Sequence, residues 1–383
     1  MLSMNSSEQL ELDVINKVNS NKITIKQAMQ ILNKSESTIY RKLSKLRNEG
    51  VSFVKHGNCN KTPKNKTCST LEAKIIDLCK NKYKNYNRVH AWEEMSSNEG
   101  LDLPLNTFKN ICKRNNLLMK NVKSKRRSKP RHRRRRMKQK GIMIQLDGSP
   151  HRWFGRKKTC LVIAIDDATS DPLYGEFSPT ETTFACMNVI KKVLNKFGAF
   201  QILYTDKAGI FGKDPINHFD AVKRSGFSSL QECLLKFDIN TIHAQSPEAK
   251  GRVERCFKTL QDRLVAEMET YNIRTIEEAN RYLNDVYLKK HRENFAIEAK
   301  DQKLAFTKIL PSINLDEFFY MKQTRKIKND HTFSLGNIIY DIETYEKNLS
   351  GKEIEIRSYP CGKVLYFVDD EEVRLKEEKE AVS

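Results

Sequence analysis

No run in this 383-residue chain approaches the ~18 consecutive apolar residues of a membrane-spanning helix. The opening residues, MLSMNSSEQLELDV, show no basic-then-apolar secretion signal. Nine cysteines stand at 59, 68, 79, 112, 160, 186, 233, 256 and 361, and none forms a Cys-x-x-Cys pair. Their scatter and odd number argue against a disulfide framework, and their spacing argues against a structural zinc site. Reduced thiols in a cytoplasm are expected. Acids are missing from one stretch: residues 120–140 carry 13 Lys and Arg and no Asp or Glu. What is present is positive charge. The net charge is +21 and the pI near 9.5, which points to a polyanionic partner, with nucleic acid favoured over a membrane surface. With 38% hydrophobic residues, the chain can bury cores in two to four domains.

Residues 8–50 read as short helices. Leu10, Leu12, Val14, Ile15 and Val18 suit a first helix. Thr24 and Gln27 form a capping box that opens a second helix through Leu32. Asn33-Lys34 turns, and Ser35 can cap a third helix through Leu46. The pattern fits a helix-turn-helix over 1–56, with Ser37, Thr38, Tyr40, Arg41 and Lys42 on or near the groove-facing side, or any small three-helix bundle. After a polar linker, Ser69 and Glu72 suggest a second capping box. Helices are expected from Arg88 to Met95, with Val89 and Trp92 inward, and from Thr107 to about Asn115, with Phe108, Ile111 and Cys112 inward. Residues 69–118 thus read as a second helix-turn-helix-like unit. The basic stretch, taken as an arm over 119–140 that includes Arg133, Arg134, Arg135 and Arg136, repels itself and carries Pro130. It reads as an extended arm that follows phosphates, or as a solvated linker.

From Gly141 the texture changes. Short apolar strands are expected at 142–147, 160–165 and 172–178, then a helix to Phe197, a strand at 201–205, a short helix near 230–237 and a strand at 239–243. A helix follows, with Ser246 as cap, Pro247 in its first turn and a stripe of Val253, Phe257, Leu260, Leu264 and Met268. This order suggests a mixed sheet with helices on both faces over 141–300. Thr275 to about Glu293 reads as one more helix. Five or so short strands separated by Asn-Asp and Gly turns then suggest a small β-barrel over 318–375.

Three carboxylates stand out. Asp147 and Asp206 each end an apolar strand, where active sites of open α/β sheets lie. Glu254 borders the buried stripe of the late helix, with Lys250 and Lys258 at i−4 and i+4. That spacing fits either a salt-bridge ladder or a metal-binding carboxylate with lysines placed for phosphates. Asp166 and Asp167 read better as a turn or strand cap than as ligands, His243 as structural, and Trp153 as packing.

The segments LDGSPHRWF (146–154), YTDKAGIF (204–211) and HAQSPEAKGRVERCFKTLQDRL (243–264) carry a resemblance. They are similar to one group of bacterial insertion-sequence transposases, in the transposase and retroviral-integrase superfamily, in which S-P-x-A-K-G-R-V-E-R surrounds the glutamate. The resemblance covers nearly the whole chain, including RKIKNDHTFSLGNIIYDI at 325–342. It implies a multidomain α/β protein: an RNase H-like catalytic core, N-terminal all-α helix-turn-helix units and a C-terminal small β-barrel. It implies Asp147, Asp206 and Glu254 as a DDE triad holding two Mg²⁺ ions, with Mn²⁺ able to substitute. Asp147 would bridge the ions, and Asp206 and Glu254 would each anchor one. The implied activity is cleavage and strand transfer at terminal inverted repeats, by a homo-oligomer on double-stranded DNA at the bacterial nucleoid. Lys207, Lys250, Arg252 and Lys258 are candidate DNA contacts. The chain departs from retroviral integrases in lacking the spacing of an N-terminal His/Cys zinc domain. Two further readings remain: a catalytically silent regulator derived from a transposase, and an RNase H-like nuclease on hybrids or junctions.

Overall fold

The computed structural model describes residues 4–56, 58, 66–117, 119–120, 134–155, 157–206, 227–244, 250–336, 338–343 and 348–376. The chain divides into two compact units, Met1–Lys74 and Ile75–Ser383. In the first, α1 (Ser6–Asn19), α2 (Ile25–Leu32) and α3 (Glu36–Glu49) enclose Val14, Ile15, Val18, Ala28, Ile39 and Leu43. The Thr24–Gln27 capping box forms as its sequence requires. Asn33 then takes the left-handed conformation (φ 49°) that ends α2. Ser35 holds the N-cap position of α3, but its hydroxyl bonds the Ser37 and Thr38 hydroxyls and not a backbone N–H.

α4 (Ser69–Lys80) begins one residue earlier than a Ser69 cap requires, because the Glu72 N–H already bonds the Cys68 carbonyl. α5 (Arg88–Asn98) and α6 (Leu105–Arg114) follow. In α6, Phe108, Ile111 and Cys112 are buried, as the apolar spacing predicts. In α5 the buried face is His90, Ala91, Glu94 and Met95, while Val89 and Trp92 are half-buried. Burial of a histidine and a glutamate there has a partner-specific cause. His90 Nε2 lies 2.7 Å from Glu267 Oε1, and Lys290 pairs with both Glu94 and Glu267. Asn85 donates to Glu269 (2.7 Å), Asn87 to Asp262 (2.5 Å), and Arg263 pairs with Glu93.

Next comes a five-stranded mixed sheet: β1 (Met143–His151), β2 (Thr159–Asp166), β3 (Pro172–Ser178), β4 (Ile202–Thr205) and β5 (Asn240–His243), in the order β3-β2-β1-β4-β5. β1, β2 and β3 pair antiparallel, whereas β1, β4 and β5 run parallel. Strand alternation makes two cores. Cys160, Val162 and Ala164 face α7 (Thr183–Phe197) and α8 (Ser229–Leu235). Leu161, Ile163 and Ile165 face α9 (Gly251–Thr270), α10 (Ile276–Tyr282) and α11 (Leu288–Phe295). Helices thus cover both faces, as expected. The stripe Val253, Phe257, Leu260, Leu264 and Met268 is buried throughout, and each such side chain contributes about 1.5–3 kcal/mol relative to exposure. The residues expected to cap this helix, Ser246 and Pro247, lie outside the described residues. The helix expected from Thr275 is interrupted by a π turn at Leu283–Tyr287.

The C-terminal region forms an open antiparallel sheet and a hairpin among the described residues, where a small β-barrel was expected. The sheet runs β11 (Glu371–Val373), β10 (Val364–Val368), β9 (Glu353–Ser358), β6 (Met321–Lys326), and the hairpin is β7 (Thr332–Leu335) with β8 (Ile338–Asp341). One core joins them through Ile327, Phe333, Ile342, Ile354, Ile356 and Val368. No described helix is long and apolar enough to cross a membrane.

Candidate active site

β1 runs on past Asp147 to His151, so Asp147 is in mid-strand and not at a strand end. The extension comes from the hairpin with β2, which pairs Asp147 with Ile163 and His151 with Thr159. On the other side, β4 pairs β1 only from Met143 to Gln145. Register sets Gln145 opposite Tyr204. Two residues on, Asp147 and Asp206 are level, just where the parallel pairing stops. Beyond Gln145, β1 continues in its pairing with β2 and no longer pairs with β4.

Odd residues of β1 face α9. The Val253 N–H reaches Gln145 Oε1 (3.4 Å), Lys250 Nζ donates to Asp147 Oδ1 (2.7 Å), and Gln261 Nε2 donates to Ser149 Oγ (3.1 Å). Lys250 Nζ also lies 3.3 Å from Asp206 Oδ2. One ammonium therefore joins the two aspartates, and Lys250 is only 7% exposed. Burial pushes the Asp147 carboxyl above its usual range; Lys250 pulls it down and Asp206 pushes it up.

Glu254 is exposed on the first turn of α9. Helical spacing puts Lys250, Glu254, Phe257 and Gln261 on one line, and the two end members reach β1. Among the described residues, Glu254 forms no ion pair with Lys250 or Lys258, so the ladder reading does not hold.

A fourth acid is present that sequence reasoning missed. Glu181 precedes α7, and its carboxyl lies against Gly148, where an added Cβ would sit 2.5 Å from Glu181 Cδ. Burial raises the Glu181 pKa, and Asp147 and Asp206 raise it further. No local signal marks Glu181; only Gly148, beside Asp147, hinted that something approaches the strand closely.

The other singled-out residues are placed as follows. His243 is buried, with Nδ1 3.0 Å from Thr205 Oγ1 and 2.9 Å from the Asp206 carbonyl, so it shapes the backbone at Asp206. Trp153 is fully buried and donates to the Ser149 carbonyl. Asp166 accepts from the Gly141 and Thr169 N–H groups, as a turn cap does. Asp167 gathers Arg134, Arg252 (2.6 Å) and Gln145 (2.6 Å). The guanidiniums of Arg134 and Arg252 are thus engaged inside the fold, as is Arg136 on the Asp167 and Ala168 carbonyls. Arg135 and Lys258 are exposed. Ser37, Tyr40 and Arg41 are exposed on α3, opposite Ile39 and Leu43. Lys207 and Arg133 lie outside the described residues.

Two carboxylates converging on one cation form a hard-oxygen donor set, which suits a Mg²⁺-like ion. Among the described residues, Asp147, Asp206 and Glu254 do not bring their ligand atoms within 4.8 Å of one another; His90, Glu94 and Glu267 do. There Lys290 already supplies the positive charge, so that cluster is charge-paired.

The fold and this site define a mixed α/β protein whose central strand carries an aspartate level with a second one just past the end of its parallel neighbour. Comparison with known proteins makes the class particular. The transposase of insertion sequence IS1202 from Streptococcus pneumoniae is 31% identical over 328 residues, 75% of this chain and 68% of that protein. A putative transposase, y4bF, from Sinorhizobium fredii is 25% identical over 369 residues, 95% of this chain and 79% of that one. The chain belongs to the bacterial insertion-sequence transposases. No protein-family profile matches it. Among solved structures it is similar to a simian T-cell lymphotropic virus intasome subunit (12% identity, TM-score 0.36, 81% of this chain and 99% of that chain). It is also similar to the HTLV-2 integrase catalytic core with magnesium (16% identity, TM-score 0.27, 39% and 89%). The family assignment stands on the sequence relatives alone.

Proposed function

We propose that this chain is an active DDE transposase that cleaves its element's ends and transfers the freed strand to target DNA. The observation that carries this reading is the convergence of Asp147 and Asp206 on one cation, with Glu254 on the line of α9 that reaches the same strand. Asp147, Asp206 and Glu254 would hold two Mg²⁺ ions. Bound there, such ions activate an attacking oxygen and stabilise a leaving one in an in-line displacement. The chain's own part is positional. β1 and β4 hold the two aspartates level, α9 would present Glu254, and His243 fixes the backbone at Asp206. Water would attack first, freeing a 3′-OH that then attacks target DNA in the same pocket.

The same reading assigns DNA binding to helix-turn-helix units at 1–56 and 69–118, through Ser37, Tyr40 and Arg41, and to the basic arm at 119–140. It assigns an RNase H-like core to 141–300. The chain would act as a homo-oligomer, because two element ends must be joined.

Cleavage of a duplex carrying one element end tests the proposal. Asp147→Ala, Asp206→Ala and Glu254→Gln should each abolish Mg²⁺-dependent nicking while leaving end binding intact in a mobility-shift assay. Nicking by Glu254→Gln at the wild-type rate would remove Glu254 from the triad.

A further inference from the structure

Lys250 stands in a place its sequence position does not announce. Its ammonium is 2.7 Å from Asp147 Oδ1 and 3.3 Å from Asp206 Oδ2, and the side chain is nearly buried. Glu181 adds a third carboxylate beside the pair. Without a cation between them, acids this close would repel one another and push the middle of β1 and the end of β4 apart. Lys250 removes that problem from within the chain.

A Mg²⁺ ion sits about 2.0–2.1 Å from each oxygen that binds it. An ion shared by these same two oxygens must occupy the region that Nζ fills. Two positive centres cannot occupy it together. The ammonium is tethered by a flexible four-carbon stem at the N-cap position of α9, so it can leave by rotation while the helix stays put.

We infer that Lys250 is a built-in stand-in for the metal: it holds Asp147 and Asp206 in register in the metal-free chain and is displaced when a divalent ion binds. The inference rests on the metal-site reading above and goes beyond it. It makes metal binding an exchange of cations, not the filling of a repulsive gap. It also delivers a freed ammonium to the rim of the site at the moment the site becomes competent, where the phosphate of bound DNA would be its next partner.

Titration of the full-length chain with Mn²⁺, with free ion counted by electron paramagnetic resonance, tests this without DNA or turnover. Lys250→Met should bind Mn²⁺ more tightly than wild type, on the order of tenfold. Its metal-free form should unfold a few degrees lower, and its Mn²⁺-induced gain in Tm should be larger. Lys250→Arg, which keeps a cation, should stay close to wild type in both. Asp147→Asn identifies the site by losing the binding. If Lys250→Met binds Mn²⁺ equally or more weakly while wild type binds it at this site, the exchange is overturned and the metal site stands. If neither wild type nor Lys250→Met binds Mn²⁺ in a way that Asp147→Asn removes, the metal-site reading fails and takes the exchange with it.

Discussion

Glu254 has a lysine one turn away on either side, and among the described residues neither pairs with it. Lys250 turns instead to two aspartates 103 and 44 positions back in the chain. At the residue scale, charge follows burial: an ammonium leaving water gains more from two half-buried carboxylates than from one exposed glutamate. His291 shows the opposite case. It is buried between Tyr287 and Phe295, and among the described residues neither ring nitrogen has a hydrogen-bond partner. Burial lowers its pKa from 6.5 to about 4; Asp171 opposes this, while Arg263 and Arg292 add to it. The unfolded chain therefore takes up a proton at His291 near pH 6.5, while the folded chain resists it until about pH 4. Stability falls as pH drops through that window and is unaffected above it. From neutral pH to pH 5 the loss is about 2 kcal/mol. In urea unfolding followed across pH, His291→Phe should be less acid-sensitive than wild type by that amount.

Among the elements, α9 does two jobs along its length. Its N-terminal turns meet β1 at the acid cluster, and its C-terminal turns meet α5 through charged groups. Burial pushes the Glu267 carboxyl up, but His90, Lys290 and Tyr282 outweigh it and hold it below the usual range. A buried charge cluster of this kind specifies which helix docks where more than it adds stability. Removing one member is still expensive. Lys290→Met would leave Glu94 and Glu267 buried without their ammonium, and denaturant unfolding should show a loss of about 3 kcal/mol. A chain unaffected by that change would mean the cluster is hydrated in solution.

On the scale of the whole molecule, a charge of +21 includes cations engaged within the fold and cations exposed to solvent, which the proposed function assigns to DNA. The basic stretch shows both. Arg134 and Arg136 are strapped to the turn after β2, while Arg135 points to solvent. DNA affinity should fall by about 10³-fold or more between 50 and 200 mM salt if six or more phosphates are met. Arg135→Gln and Lys258→Gln should each reduce the slope of log K against log salt by about 1. Arg252→Gln should cost stability more than slope, because its guanidinium serves Asp167. Fluorescence anisotropy over a salt series separates the two groups.

Much of this was legible locally. The Thr24–Gln27 box, the stripe of α9, the strand before Asp206 and the helices on both faces of the sheet follow from nearest-neighbour chemistry and periodicity, which act within a few residues. The SPEAKGRVER block, with the segments around Asp147 and Asp206, carries the resemblance to the family that the sequence relatives show. β6 was not legible: MKQTRK has no apolar alternation and is a strand only because β9 pairs with it along its whole length. By its sequence Asp147 reads as a strand end because its apolar run stops there, although the β2 hairpin carries the strand on. Only the tertiary structure decided that Lys250 serves Asp147 and Asp206, that Glu181 lies against Gly148, and that Asp167 claims Arg134 and Arg252. The physical reason is common to all three. A charged side chain chooses its partner by distance and desolvation across folded elements, and neither is set until the sheet and α9 have packed.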